Sequence, residues 1–98
     1  MNPSEAKPIV VRHNADEQRF EAEVDGKLAV ADYHVEGERM IFTHTFVPPE
    51  LRGRGIAEKL VRVALEHARS ERLRVVPACS YVETFIERHT EFKPLLAP

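Results

Sequence analysis

The chain has 98 residues, 43% of them hydrophobic and 31% charged, with 14 Lys/Arg against 16 Asp/Glu. That is enough for one globular domain spanning 1–98 with a single core, but not for two. No apolar run approaches the roughly 20 residues of a membrane span, and Cys79, the one cysteine, excludes an internal disulfide and a multi-thiolate metal site. The five histidines show no ligand spacing, and Met1-Asn2-Pro3-Ser4-Glu5 carries no secretory pattern, so a cytoplasmic protein without a metal is expected. Residues 1–50 hold 5 Lys/Arg against 10 Asp/Glu, and residues 51–98 hold 9 against 6. An acidic half beside a basic half suits an anionic cofactor on one side and a cationic amine on the other, although surface solvation alone accounts for most such charges.

Residues 1–7 show no pattern and read as a mobile arm. Pro8 to His13 predicts an edge strand with its proline at the start, where a missing donor does no harm. After a turn at Asn14-Ala15-Asp16-Glu17, Phe20, Ala22 and Val24 alternate with Glu21 and Glu23, the period of a half-buried strand. Asp25-Gly26 predicts a two-residue type I′ hairpin, which needs positive φ at both central residues. Val24 then faces Lys27, Ala22 faces Ala29 and Phe20 faces Ala31. Tyr33 and Val35 continue the apolar side, while Glu21, Glu23, Asp32 and His34 take the other. Glu36-Gly37-Glu38 turns the chain again. Arg39 to Val47 reads as a central strand, with Met40, Phe42, His44 and Phe46 on one side and Ile41, Thr43, Thr45 and Val47 on the other. Apolar residues on both sides lead us to expect cover on each face.

Beyond the Pro48-Pro49 corner, Ile56, Ala57, Leu60, Val61, Val63, Ala64 and Ala68 fall on one arc of a helix, with Glu58, Lys59, Arg62, Glu66 and Arg69 opposite. Leu73 to Val76 follows as a short strand, parallel to 39–47 because a helix connects them. Pro77 ends it. Ser80-Tyr81-Val82-Glu83 reads as a capping box for a second helix reaching His89, and 90–98 as an irregular tail held by Phe92. The fold class is α/β: a mainly antiparallel meander with one parallel crossover strand and two helices.

Chemistry concentrates between Phe46 and Ala57. Gly53 and Gly55 strip side chains from the turn into the first helix, so the N–H groups from Arg52 to Ala57 are free to face outward. Unpaired donors, the positive end of the helix dipole and two arginines suit a phosphate or pyrophosphate. The bland alternative is a glycine-rich helix start with two exposed arginines. Arg52-Gly53-Arg54-Gly55-Ile56-Ala57 resembles the Arg/Gln-x-x-Gly-x-Gly/Ala loop with which GCN5-related N-acetyltransferases (GNATs) hold the pyrophosphate of acetyl-CoA. Together with Phe42-Thr43-His44-Thr45-Phe46-Val47 and Pro77-Ala78-Cys79-Ser80-Tyr81, it makes the stretch from Ala29 to Glu91 similar to the very short members of that family.

The resemblance implies a shortened GNAT core. It places acetyl-CoA against Phe46, Val47, Arg52, Gly53, Arg54, Gly55, Ile56 and Ala57, with the pantetheine arm between the diverging ends of strands 39–47 and 73–76. The implied activity is transfer of an acetyl group to a primary amine. Cys79, near the start of the second helix, is a candidate nucleophile or proton donor, or else a small core residue. Tyr81 is a candidate general acid for the departing thiolate. His44 is the nearest candidate base, or else a hydrogen-bonded core histidine. Because the strands that usually build an acceptor site are missing, a non-catalytic acyl-CoA binder is the alternative. Nucleic-acid binding is disfavoured: the arginines of 52–74 are interrupted by Glu58, Glu66 and Glu71 and lack stacking aromatics.

Overall fold

The computed structural model describes residues 9–98, so the expected 1–7 arm and Pro8 lie outside the described residues. Five strands form one sheet in chain order: β1 (Arg12–Asn14), β2 (Arg19–Val24), β3 (Lys27–Glu36), β4 (Arg39–Phe46) and β5 (Arg74–Pro77). The first four run antiparallel, and β5 lies parallel to β4 across the crossover helix α1 (Ile56–Ser70). Helix α2 (Ser80–Arg88) follows β5. The α/β meander with its single parallel crossover is therefore as expected. The tail is more ordered than expected. It forms a 3-10 helix over Thr90–Leu95, buries Phe92, and bridges Leu96 to Val75, with the Ala97 amide donating to the Val75 carbonyl at 2.9 Å. This covers part of the outer edge of β5, which would otherwise offer unpaired backbone groups.

The hairpin forms with the register the Asp25-Gly26 pair dictates: φ is 53° and 75° at these residues, and Val24, Ala22 and Phe20 pair with Lys27, Ala29 and Ala31. The first strand is shorter than its apolar run suggests. Ile9 and Val11 pack against the core without ladder pairing, and the strand begins at Arg12. Glu21 departs from its expected solvent-facing role. It is buried under Arg12, Arg19 and Asn14, which all hydrogen-bond to its carboxylate. The bonds from Arg12 and Arg19 hold that carboxyl at about 2, well below the usual range. The two guanidiniums themselves stay in contact with water, their side chains 75% and 30% exposed.

A β-bulge corrects the reading of β4. Asp32 pairs with His44 while Tyr33 pairs with Phe42, so Thr43 is an extra residue on β4. Before the bulge, Met40 and Phe42 point into the core. After it the phase reverses. Thr45 pairs with buried Ala31 and faces the core side, whereas His44 and Phe46 turn to the opposite face. Met40, Phe42, His44 and Phe46 therefore do not share one side.

Both helices cover the same face of the sheet. Leu60, Val61, Ala64, Leu65 and Ala68 of α1 and Val82, Phe85 and Ile86 of α2 join Phe20, Ala29, Ala31, Met40 and Phe42 in one buried cluster. The Arg62 guanidinium lies over the Phe85 and Phe92 rings, 5.5 and 5.9 Å from their centroids, tying α1 to α2 and the tail. No described helix covers the other face, contrary to the cover expected on each. There Leu28 and Phe46 stay exposed beside His44, with Asp32 and His34 half-buried. The bulge explains part of this, because past Ile41 it turns polar Thr43 and His44 outward.

Candidate active site

The loop between β4 and α1 is held from below and left bare above. Pro49–Leu51 forms a 3-10 turn that buries Leu51, and the Arg52 Nε donates back to the Val47 carbonyl at 3.0 Å. Gly53 and Gly55 then take φ of 84° and 76°, the left-handed region that side chains disfavour. Gly55 is the N-cap of α1, and no side chain caps this helix. Lys59 is the first amide of the helix to reach a backbone carbonyl, that of Gly55 at 3.1 Å. Among the described residues, the N–H groups of 53–58 have no protein acceptor. A Cβ built on Gly53 or Gly55 would meet nothing within 4 Å, so the space over the loop is open to a guest. Unpaired donors at the positive end of a 15-residue helix favour an anion there.

These amides border a cleft of about 440 Å³. Phe46, Val47, Arg52, Gly53, Gly55, Ile56 and Ala57 all line it. Arg54 does not: its Nη1 reaches Asp25 at the hairpin tip, 3.0 Å away. Thr45, Leu51, Glu58 and Tyr81 complete the wall. Thr45, Leu51 and Glu58 escaped the sequence reading; the bulge turns Thr45 inward, and nothing in the local pattern marks that reversal. Beside the cleft, pairing between β4 and β5 ends at Phe42 and Pro77, while β4 continues to Phe46. Past Phe42 the β4 edge has no strand partner among the described residues, and Cys79 reaches it only at Thr45.

Of the three candidate catalytic residues, only Tyr81 lines the cleft. Burial, followed by the charge of Glu58, pushes its phenol up, with Arg88 opposing, so the hydroxyl stays protonated at neutral pH. Cys79 is half-buried, with its Sγ 3.5 Å from the Thr45 Oγ1, one residue removed from the wall. Cys79 and not Ser80 is the N-cap of α2, so the capping box does not form; Ser80 is already the first helical residue. Burial opposes ionisation of the thiol. The Thr45 hydroxyl and the amides of Val82, Tyr81 and Thr45 outweigh it and hold the thiol below its ordinary value. His44 stands on the open face of the sheet, paired across the ladder with Asp32 and roughly parallel to the Phe46 ring, 6.4 Å between centroids. The site thus offers an anion cradle, a strand edge, a protonated phenol and a thiol inclined to ionise. An imidazole lies on the far side of the strand.

No described helix is long and apolar enough to cross a membrane. A family model described as GCN5-related N-acetyl-transferase matches residues 19–95. Protein NATD1 from Bos taurus is 34% identical over 90 residues, covering 89% of this chain and 80% of that protein. Protein NATD1 from Homo sapiens is 33% identical over 85 residues, covering 84% and 75%. A GCN5-like protein from Staphylococcus aureus, solved by NMR in solution, superposes with a TM-score of 0.72 at 26% identity, over 91% of this chain and 88% of that one. With the match spanning β2 through the tail, the chain belongs to the GCN5-related N-acetyltransferase family, among its short members.

Proposed function

We propose that the cleft binds acetyl-CoA and that the protein transfers the acetyl group to a primary amine. The observation that carries this reading is the run of unpartnered amides over 53–58, at a glycine-capped helix start on the border of the cleft. These amides donate to the pyrophosphate oxygens, with the Arg52 charge nearby. The pantetheine amides pair with the β4 edge past Phe42, which carries the thioester toward Thr45 and Tyr81. The amine approaches from the open face, where His44, or a water it orients, takes its proton. The amine nitrogen forms a bond to the acetyl carbon, the C–S bond breaks, and Tyr81 protonates the leaving thiolate. The acidic amino-terminal half favours a cationic acceptor.

The test is release of free CoA thiol from acetyl-CoA in the presence of a panel of lysine peptides, protein N-termini and polyamines. Tyr81→Phe should lower kcat by about 10²-fold or more while leaving acetyl-CoA affinity nearly unchanged. Incubation with acetyl-CoA alone should leave Cys79 unmodified by mass. A thioester on Cys79 that an amine then discharges would replace direct transfer with a ping-pong route. Binding of acetyl-CoA without transfer to any amine would make the chain an acyl-CoA binder only.

A further inference from the structure

The hairpin tip between β2 and β3 meets the loop between β4 and α1 through two ion pairs. The Arg54 Nη1 lies 3.0 Å from the Asp25 carboxylate, and the Lys27 Nζ lies 3.6 Å from that of Glu50. Along the hairpin the acid precedes the base, Asp25 then Lys27, and along the loop it does so again, Glu50 then Arg54. Only this crossed docking sets opposite charges together; the uncrossed one would face acid with acid and base with base. The two partners differ in stiffness. The hairpin is fixed by its Asp25-Gly26 turn and by the pairing of Ala22 with Ala29, both buried. The loop is fixed at its base by buried Leu51 and by Arg52 bonded to the Val47 carbonyl. Beyond that point Arg54 stands between two glycines, the residues that restrain a backbone least. Among the described residues, the Arg54 to Asp25 contact is the only side-chain hydrogen bond involving 53–55.

We propose that Asp25, Lys27, Glu50 and Arg54 are positioning residues: through them the hairpin tip holds the loop so that the 53–58 amides stand ready for an anion. The inference rests on the reading of the cleft as an acyl-CoA site. All four side chains lie outside the cleft wall, so they act through the backbone of the loop and not on the ligand. An exposed ion pair adds little to global stability. Here each pair needs only to bias the few backbone angles between Leu51 and Ile56, and a loop ordered beforehand spares the ligand that loss of entropy. Charge alone makes the opposite prediction. Asp25 and Glu50 are negative groups near an anion site, so as bare charges they weaken binding, whereas as parts of the clamp they strengthen it.

The experiment is calorimetric titration of acetyl-CoA into the wild-type chain, Asp25→Asn, Glu50→Gln and the double variant at low ionic strength, together with ¹⁵N order parameters of the ligand-free proteins. Asn-Gly favours the same type I′ turn as Asp-Gly, so Asp25→Asn removes the charge and keeps the hairpin. Glu50 is exposed, and its amide variant keeps its shape. Each single variant should bind about three-fold more weakly and the double variant about ten-fold, although each has lost negative charge near an anion site. The advantage of the wild type should shrink as added salt screens the pairs. In the ligand-free chain the order parameters of 53–55 should fall from about 0.85 toward about 0.6 in the double variant, while those of Ala22 and Ala29 hold. Unchanged or tighter binding by the variants overturns the assignment and leaves the cleft reading in place, as does weaker binding with the loop amides no more mobile. Failure of the wild type to bind acetyl-CoA overturns the cleft reading and this assignment with it.

Discussion

The two ends of α1 use similar chemistry for opposite purposes. At its amino-terminal end the polar groups are left unfinished: six consecutive amides, 53–58, have no protein acceptor among the described residues, and the glycines above them leave open space. At its carboxyl-terminal end the polar groups are closed on one another. His67 packs edge-on against His13, 4.5 Å between centroids, and His13 stacks on Phe20 at 4.2 Å while its Nε2 meets the Tyr33 hydroxyl. No side-chain nitrogen or oxygen that is fully buried lacks a partner among the described residues. The comparison teaches that satisfied polar groups around the sheet stabilise the fold, while unsatisfied ones at a helix start leave hydrogen bonding that the proposed ligand would complete.

The largest effect comes from breaking the closed end. Phe20 is 1% exposed and carries the His13 stack, so Phe20→Ala should cost about 3–5 kcal/mol in urea denaturation. At temperatures where the variant remains folded, its acetyl-CoA affinity should be close to that of the wild type, because the cleft lies at the other end of the helix. Breaking the open end should show the reverse. Gly55→Val forces a β-branched residue to φ near 76° and puts methyl groups where the pyrophosphate would lie. The thermal stabilisation by acetyl-CoA, worth about 2.7 kcal/mol at roughly 100 times Kd, should disappear. Gly55→Ala, less strained, separates the ligand effect from any loss of folding.

The smallest effect is a two-stage acid response, one stage from His13 at the closed end and the other from Glu21 on the opposite face of the sheet. Burial, together with the nearby His67 charge, lowers His13, while Glu71 opposes. A depressed folded value means the neutral ring is preferred in the native state. That stability is complete above the unfolded value of 6.5 and is lost as pH falls below it. Glu21 contributes in a lower window: its stabilisation is present above the unfolded value of 4.5 and is lost as pH falls toward about 2. The His13 ring and the guanidiniums over Glu21 stand in contact with water, so each stage should amount to no more than about 1 kcal/mol. Thermal melts from pH 8 to 2 should show the upper stage vanish in His13→Phe and the lower stage vanish in Glu21→Gln.

The parts of this molecule legible in its sequence are those set by local rules. Asp25-Gly26 dictates its own turn, and the turn dictates the register of Phe20 against Ala31. The arc of α1 is legible because burial repeats every helical turn, although Leu65 proves buried from just outside the expected arc. The features that escape the sequence depend on partners distant along the chain. Thr43 as a bulge leaves the alternation of β4 undisturbed in sequence, yet it sends His44 to the open face and Thr45 to the cleft. The pairing of Arg54 with Asp25, 29 residues away, likewise leaves no mark in the local pattern. Glu21 reads as solvent-facing because its burial depends on Arg12 and Arg19 folding over it.

The central claim is that the unsatisfied amides at the start of α1 are the ligand site. The most direct measurement is titration of uniformly ¹⁵N-labelled protein with acetyl-CoA, followed amide by amide in proton–nitrogen correlation spectra. We expect the largest shifts at Gly53 to Glu58, smaller ones along Thr45 to Val47, and almost none at His13, Phe20 or His67. Saturable binding whose largest shifts fall elsewhere, with the 53–58 amides unmoved, would contradict the account.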